Sequence, residues 1–335
     1  MVLLFHILAT VKIFTDTILQ KEVEPLLKKE KNLIYVTLFM VMIVWGFNVV
    51  AIKLLSTEFM PVTISAFRIF TAGVCVFIIL SFMKKIRIPT KRELQFILIG
   101  ALFNVVGHHY FLSVGLKITS ASNGGLILGL GPLLTTLLAM IFLGNSLTIA
   151  RILGIVFGLT GVFMVVLKDG SISGISIGDL FIFLSIFSQA ISFIFISKIS
   201  KSLDPRLMTG YMLLIGSVIL FLISLVTEPT GLKSLTTGSL GLWVLFFASA
   251  SIATATGHMA YNFAVGKIGA AETAIFINLT PPFALIGGAL FLGETIVPSQ
   301  IFGFLFILTG VLLGSDIWKE VIRHSQQKKK IRLSS

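Results

Sequence analysis

The hydrophobic sequence of this chain is written twice. From Gly107 the first copy reads GHHYFLSVGLKITSAS and then GPLLTTLLAMIFLGNSLTIARILGIVFGLTGVFM; from Gly257 the second reads GHMAYNFAVGKIGAAET and then TPPFALIGGALFLGETIVPSQIFGFLFILTGVLL. Gly107-His108 falls on Gly257-His258, Lys117 on Lys267, Pro132 on Pro281, Leu143-Gly144 on Leu292-Gly293, and Thr160-Gly161-Val162 on Thr309-Gly310-Val311, with one residue of slippage near the proline. Self-similarity of this length implies two half-structures of one design, facing each other across a central site.

Composition fixes the environment. The chain is 56% hydrophobic and 12% charged, with a mean hydropathy of +1.03, whereas soluble domains carry about 25% charged residues. The excess of Lys and Arg (26) over Asp and Glu (14) would suit nucleic acid on a soluble fold. Here the basic residues sit in short loops between apolar runs of about 20 residues, the pattern of a polytopic membrane protein. The expected surroundings are therefore a lipid bilayer, and no nucleic acid. The single cysteine, Cys75, lies inside an apolar run and excludes a disulfide framework or a Cys-based metal cluster. No cofactor or metal is called for.

The runs predict an all-α protein of ten transmembrane helices, near 33–52, 61–83, 94–115, 120–143, 148–167, 178–198, 207–227, 240–264, 270–292 and 296–316, each long enough to cross about 30 Å of hydrocarbon. They divide into a first repeat, 33–167, and a second, 178–316. Lys and Arg are distributed unevenly: 21 lie on the side of the N-terminus and 4 on the other, with Arg68 inside a span accounting for the last of the 26. The positive-inside rule then puts both termini in the cytoplasm. Five helices per copy is an odd number, so the second copy is inserted upside down. Residues 1–32 lie outside the duplication; Lys12 and Asp16 interrupt their apolar stretch, which reads as a surface-lying segment or an over-extended start rather than a cleaved signal. The tail, 317–335, is basic and suits anionic lipid.

Trp45-Gly46-Phe47-Asn48 in the first span, Pro61 followed by Arg68 in the second, and Gly131-Pro132 and Pro281-Pro282 followed by Leu292-Gly293-Glu294 resemble the drug/metabolite transporter superfamily, in its EamA-like branch. The resemblance covers about residues 33–316. It implies ten spans in two inverted repeats and movement of amino acids, nucleotide-type compounds, sugars or drugs. One departure is Leu143-Gly144-Asn145 in the first copy, where the second has Leu292-Gly293-Glu294.

Polar groups within spans are costly, so they face the bundle interior or mark a pathway. Arg68, with no carboxylate in its span, can attract an anionic substrate group, or it can snorkel to the interface. His108, His109 and His258 can relay protons or bond between helices; the pseudo-two-fold axis is expected to set His108 and His258 on opposite faces of the bundle. Trp45, Asn48, Asn104, Tyr110, Asn262 and Asn278 supply ring surface and amides that can line a solute cavity or tie helices together. Glu272 suits the start of its helix, with proton coupling as its functional alternative. Pro132, Pro281 and Pro282 remove backbone donors within their helices and predict kinks or hinges. Gly125-x3-Gly129 and Gly154-x3-Gly158 allow close helix approach.

The function these features imply is a secondary transporter of a small organic metabolite or drug in the plasma membrane, working by alternating access, with export the direction the resemblance favours. There is no GxxxxGK[ST] nucleotide loop and no clustered nucleophile, metal triad or carboxylate pair of an enzyme. A scaffold or receptor, or a passive channel, is the alternative. Proton coupling and a homodimer stay open.

Overall fold

A computed structural model describes residues 24–143, 148–166 and 176–314. The N-terminal segment through residue 23, the turn carrying Asn145, the Lys168-Asp169-Gly170 break and the tail lie outside the described residues. Ten helical segments follow one another: α1 (Glu24–Glu58), α2 (Pro61–Phe82), α3 (Lys91–Ile118), α4 (Ala121–Leu128 and Gly131–Leu143), α5 (Ile149–Val166), α6 (Ile177–Ile199), α7 (Pro205–Thr227), α8 (Leu240–Ile268), α9 (Ala270–Leu292) and α10 (Pro298–Gly314). A short helical turn, Gly231–Ser234, lies between α7 and α8.

Eight of these helices are long and apolar enough to cross a membrane. α5 and α10, with 18 and 17 described residues, are shorter apolar helices at the lower limit of a span; among the described residues, length and composition support eight of the ten expected crossings. The first helix also differs from expectation. It runs from Glu24 to Glu58 instead of 33–52, because neither the charges before Leu33 nor Lys53 interrupts helical hydrogen bonding.

Large apolar side chains cover the outside, among them Phe82, Leu240, Val226, Leu290 and Ile141. Such a surface is stable in hydrocarbon and not in water. The helix starts follow local rules. Pro61 and Pro205 open α2 and α7 at positions that lack an intrahelical donor anyway. Thr90 with Glu93, and Ser176 with Asp179, close reciprocal capping boxes at α3 and α6.

Packing respects the duplication. α5 lies along α10 and α2 along α7, each pair being equivalent helices of the two copies, while α3 packs on α6 and α7 as α8 packs on α1 and α2. At the α5–α10 crossing a Cβ on Gly310 would stand 2.6 Å from Gly154 O, and one on Gly161 would stand 2.6 Å from Gly303 O. The backbones touch there, as the small faces predicted.

Helix ends are tied across the halves. Glu228, after α7, accepts from Val62 N (2.9 Å), Thr63 N (2.8 Å) and Thr63 Oγ1 (2.8 Å) at the start of α2. Glu294 accepts from Ala121 N (2.7 Å), Ser122 N (2.9 Å) and Ser122 Oγ (2.6 Å) at the start of α4. Gly293, with φ +66°, takes a left-handed conformation open to glycine and turns the chain so that Glu294 reaches α4. Lys53 Nζ donates to Thr119 O at 2.8 Å and Lys117 O at 3.2 Å.

Candidate functional site

Two helices change winding at equivalent places. In α3, residues Ala101–Gly107 form a π-helical stretch that ends at Gly107-His108; in α8, Ser249–Thr256 do the same just before Gly257-His258. Wider winding displaces carbonyls from the normal ladder, and side chains from other helices meet them. Ser188 Oγ of α6 donates to Phe103 O at 2.8 Å, and Trp45 Nε1 of α1 donates to Ala253 O at 2.9 Å. Phe103 and Ala253 are equivalent residues of the two copies. Gly257 leaves room for the indole, since a Cβ there would lie 2.6 Å from Trp45 Nε1.

This winding aims the histidines inward, and the structure corrects the expectation that they occupy opposite faces. His108 and His258 meet in one buried cluster with ring centroids 6.5 Å apart, and His109 sits between them, 4.7 Å from His108 and 5.6 Å from His258. Equivalent residues of the two copies thus converge.

Hydrogen-bond partners assign the tautomers. His108 Nδ1 lies 3.2 Å from Ser185 O and 2.7 Å from Ser185 Oγ. A carbonyl only accepts, so Nδ1 carries a proton. Ser185 Oγ in turn donates to His108 O at 2.9 Å. His109 Nδ1 lies 3.3 Å from an Arg68 terminal nitrogen. A guanidinium only donates, so the His109 proton sits on Nε2, which is buried without a partner; His258 Nδ1 is likewise unpartnered.

Arg68 does not snorkel. It is 2% exposed and donates to Thr254 Oγ1 at 2.5 Å and to Ser249 Oγ at 3.4 Å, and Ser249 Oγ donates to Asn48 Oδ1 at 2.5 Å. Among the described residues, no carboxylate bonds to it. The two buried acidic side chains are engaged elsewhere, Glu93 with Arg87 (2.6 and 2.8 Å) and Asp179 with Thr119 (2.5 Å).

A cavity of about 50 Å³ opens against this cluster, lined by Trp45, Asn48, His108, His109, Gln189, His258 and Thr280 with apolar neighbours from α1, α3, α4, α6 and α9. The expected residues divide accordingly. Trp45, Asn48, His108 and His258 line the cavity, and Arg68 stands behind His109. Asn104 instead donates to Ser192 Oγ (2.7 Å), Asn262 to Thr209 Oγ1 (2.9 Å) and Asn278 to Ile275 O (3.0 Å). Tyr110 packs on Phe111. None of these four is in the lining.

Glu272 lies in the first turn of α9, within 2.9 Å of Lys31 Nζ and 2.5 Å of Tyr35 OH, and is not in the cavity wall. Pro132 stands second in Gly131–Leu143, after a break at Gly129 and Leu130, and Pro281 and Pro282 follow a 3-10 turn at Phe276–Leu279. The prolines start new helical pieces at equivalent points of α4 and α9. Ser185 and Gln189 are additions from α6. They belong to a buried stripe, Ser185, Ser188, Gln189 and Ser192, spaced i, i+3, i+4, i+7 in an otherwise apolar run, a periodicity that marks one helix face.

The family model of the EamA-like transporters matches residues 32–167 and again 176–315. The chain belongs to the EamA-like transporter family. A Bacillus subtilis (strain 168) protein described as "Uncharacterized transporter YyaM" is 33% identical over 269 residues, covering 77% of this chain and 86% of the relative. A more distant relative from Streptantibioticus cattleyicolor, described as "Probable terminal-alkyne amino-acid exporter", is 23% identical over 233 residues, 68% of this chain and 75% of its own. A solved structure at 14% identity superposes with a TM-score of 0.63 over 85% of this chain and 97% of that chain, which supports the fold. This member of the family is thus a multi-pass membrane transporter and not an enzyme.

Proposed function

We propose that this EamA-family protein is a secondary transporter that moves a small organic solute, of the amino-acid class or similar, out across the plasma membrane by alternating access. The observation that carries the reading is the cavity, which sets a few polar side chains among apolar ones and is walled by helices of both copies. Its volume of about 50 Å³ holds one or two waters, far below the roughly 300 Å³ at which ligand pockets begin. A solute site of that size is a closed conformation, and the halves, residues 33–167 and 178–316, must separate at one end to admit cargo. Equivalent breaks at Pro132 and Pro281-Pro282, with the two π-helical stretches, supply hinges in both halves. The excess of Lys and Arg in the loops on one side supports a cytoplasmic position for both termini, and the Streptantibioticus relative's description supports amino-acid-like cargo and export.

His108 and His258 are the cavity groups suited to exchanging a proton, which makes proton coupling the energy source of this reading. The test is uptake and counterflow of a labelled metabolite panel in proteoliposomes with an imposed pH gradient. Gradient-driven accumulation is expected. Exchange without gradient dependence would demote the histidines, and silence from folded protein would favour a scaffold. Unchanged pH dependence in a His108→Gln, His258→Gln double variant would also remove proton coupling.

A further inference from the structure

We propose that the cavity holds an anion subsite for a monoanionic carboxylate, built from Arg68 and His109; this rests on the cavity's being the solute site. Three observations converge. Arg68 is a permanent cation buried in a membrane bundle with hydroxyl and imidazole partners only. A buried charge without a counter-charge is among the most costly arrangements in a folded chain, and a ligand carrying that counter-charge removes the cost. Second, the bond from Arg68 forces the proton of His109 onto Nε2, a buried donor with nothing to donate to, although His109 lines the cavity. Third, among the described residues no carboxylate lines the cavity wall, so nothing there repels an anion.

Charge count selects the class. His109 is neutral because one ring nitrogen accepts from Arg68. Arg68 and His109 together therefore carry a single positive charge. One carboxylate balances it, whereas a dianionic phosphate leaves a buried negative charge. Ser249, Thr254 and Asn48 form a chain of hydroxyl and amide bonds that fixes the guanidinium in place, so little ordering is left to do when the anion arrives.

The test pairs shapes that differ in charge. Purified protein in nanodiscs is titrated with benzoate against benzamide and with 3-methylbutyrate against its amide, binding being read by calorimetry and thermal shift, and the same carboxylates are tested in counterflow. Each carboxylate is expected to bind at least about tenfold tighter than its amide, as a charged hydrogen bond implies. Arg68→Gln should abolish the difference and Arg68→Lys should keep most of it. Equal binding within each pair, or binding of neither, overturns the subsite, as does undiminished discrimination in Arg68→Gln. The wild-type pairs decide the matter even where a variant fails to fold. The two readings fail separately: carboxylate-selective binding with silent counterflow upholds the subsite and sinks transport of these acids, while counterflow that ignores the charge does the reverse.

Discussion

The two ends of the bundle are closed by different chemistry. At the end where α2 and α4 begin, Glu228 and Glu294 reach across from the second copy, and each accepts two backbone N–H groups and a hydroxyl. At the other end, where α7 and α9 begin, Asp204 caps its own helix through Arg206 N at 3.0 Å. The ties between copies there run through partly exposed side chains: the ion pairs of Lys31 with Glu272 at 2.9 Å and Lys85 with Asp204 at 3.1 Å, and single hydrogen bonds from Tyr35 OH to Glu272, from Arg87 to Ser202 O at 3.2 Å and from Tyr211 OH to Arg87 O at 3.0 Å. Multidentate caps on helix N-termini are worth about 1–2 kcal/mol each, and exposed ion pairs about 0–1 kcal/mol. Two copies of one fold are thus held by a stronger latch at one end than at the other. On the proposed orientation the strong latch is outside, and opening toward the cytoplasm is the cheaper motion.

The sharpest break of this comparison is a Glu228→Ala, Glu294→Ala double variant. With Cys75→Ala as background and Asn48→Cys as reporter, an impermeant thiol reagent should label the parent from the cytoplasmic side, whereas the double variant should gain labelling from outside. Thermal unfolding should show a loss of about 2–4 kcal/mol. Labelling unchanged in sidedness would remove the latch reading. Next in size, Glu294→Ala alone should cost about 1–2 kcal/mol, and the full effect should persist in Glu294→Gln only to the extent that charge, rather than the acceptor, holds α4. Tyr35→Phe at the opposite end removes one bond to Glu272 and should cost about 1 kcal/mol or less, with labelling of the reporter from the cytoplasmic side made faster.

The smallest effect concerns pH. Burial works to raise Asp204, but hydrogen bonds from Arg206 and Lys85 prevail and hold its carboxyl down to about 2, against an ordinary value near 3.8. A carboxylate with a depressed value stabilises the fold above its ordinary value and loses that contribution as pH falls toward 2. Stability should therefore be flat between pH 5 and 8 as far as Asp204 is concerned, and Asp204→Asn should lower it there by about 1 kcal/mol or less. A pH-dependent difference between variant and parent above pH 5 would contradict this assignment.

Much of the fold was legible because membrane helices announce themselves by length and hydropathy, and because duplication reveals which residues are equivalent. The same pattern singled out Trp45, Asn48, Arg68 and the histidine pair, since polar groups in apolar runs are conspicuous. Convergence of His108 and His258 was not legible: it depends on how the two copies pack against each other, and on π-helical winding that Ala101–Gly107 and Ser249–Thr256 do not signal by composition. Asn104, Asn262 and Asn278 looked like Asn48 in sequence, and only neighbouring hydroxyls and carbonyls decide that they bond between or within helices. The serine stripe on α6 was readable by its period but is hidden by residues too small to draw notice.

Glu294 also sets the order of assembly. Ala121, whose N–H it accepts, precedes it by 173 residues, and at about 5–20 residues per second that stretch takes roughly 10–35 s to synthesise. During that interval the first copy is in the membrane with only Ser120, which accepts from Asn123 N at 3.0 Å, capping the start of α4, while the N–H groups of Ala121 and Ser122 wait for Glu294, and Glu228, 166 residues after Val62, comes to α2 almost as late. The first half is finished only by the last loops of the second, so a gene cut between the copies should yield halves that must find each other before either is mature.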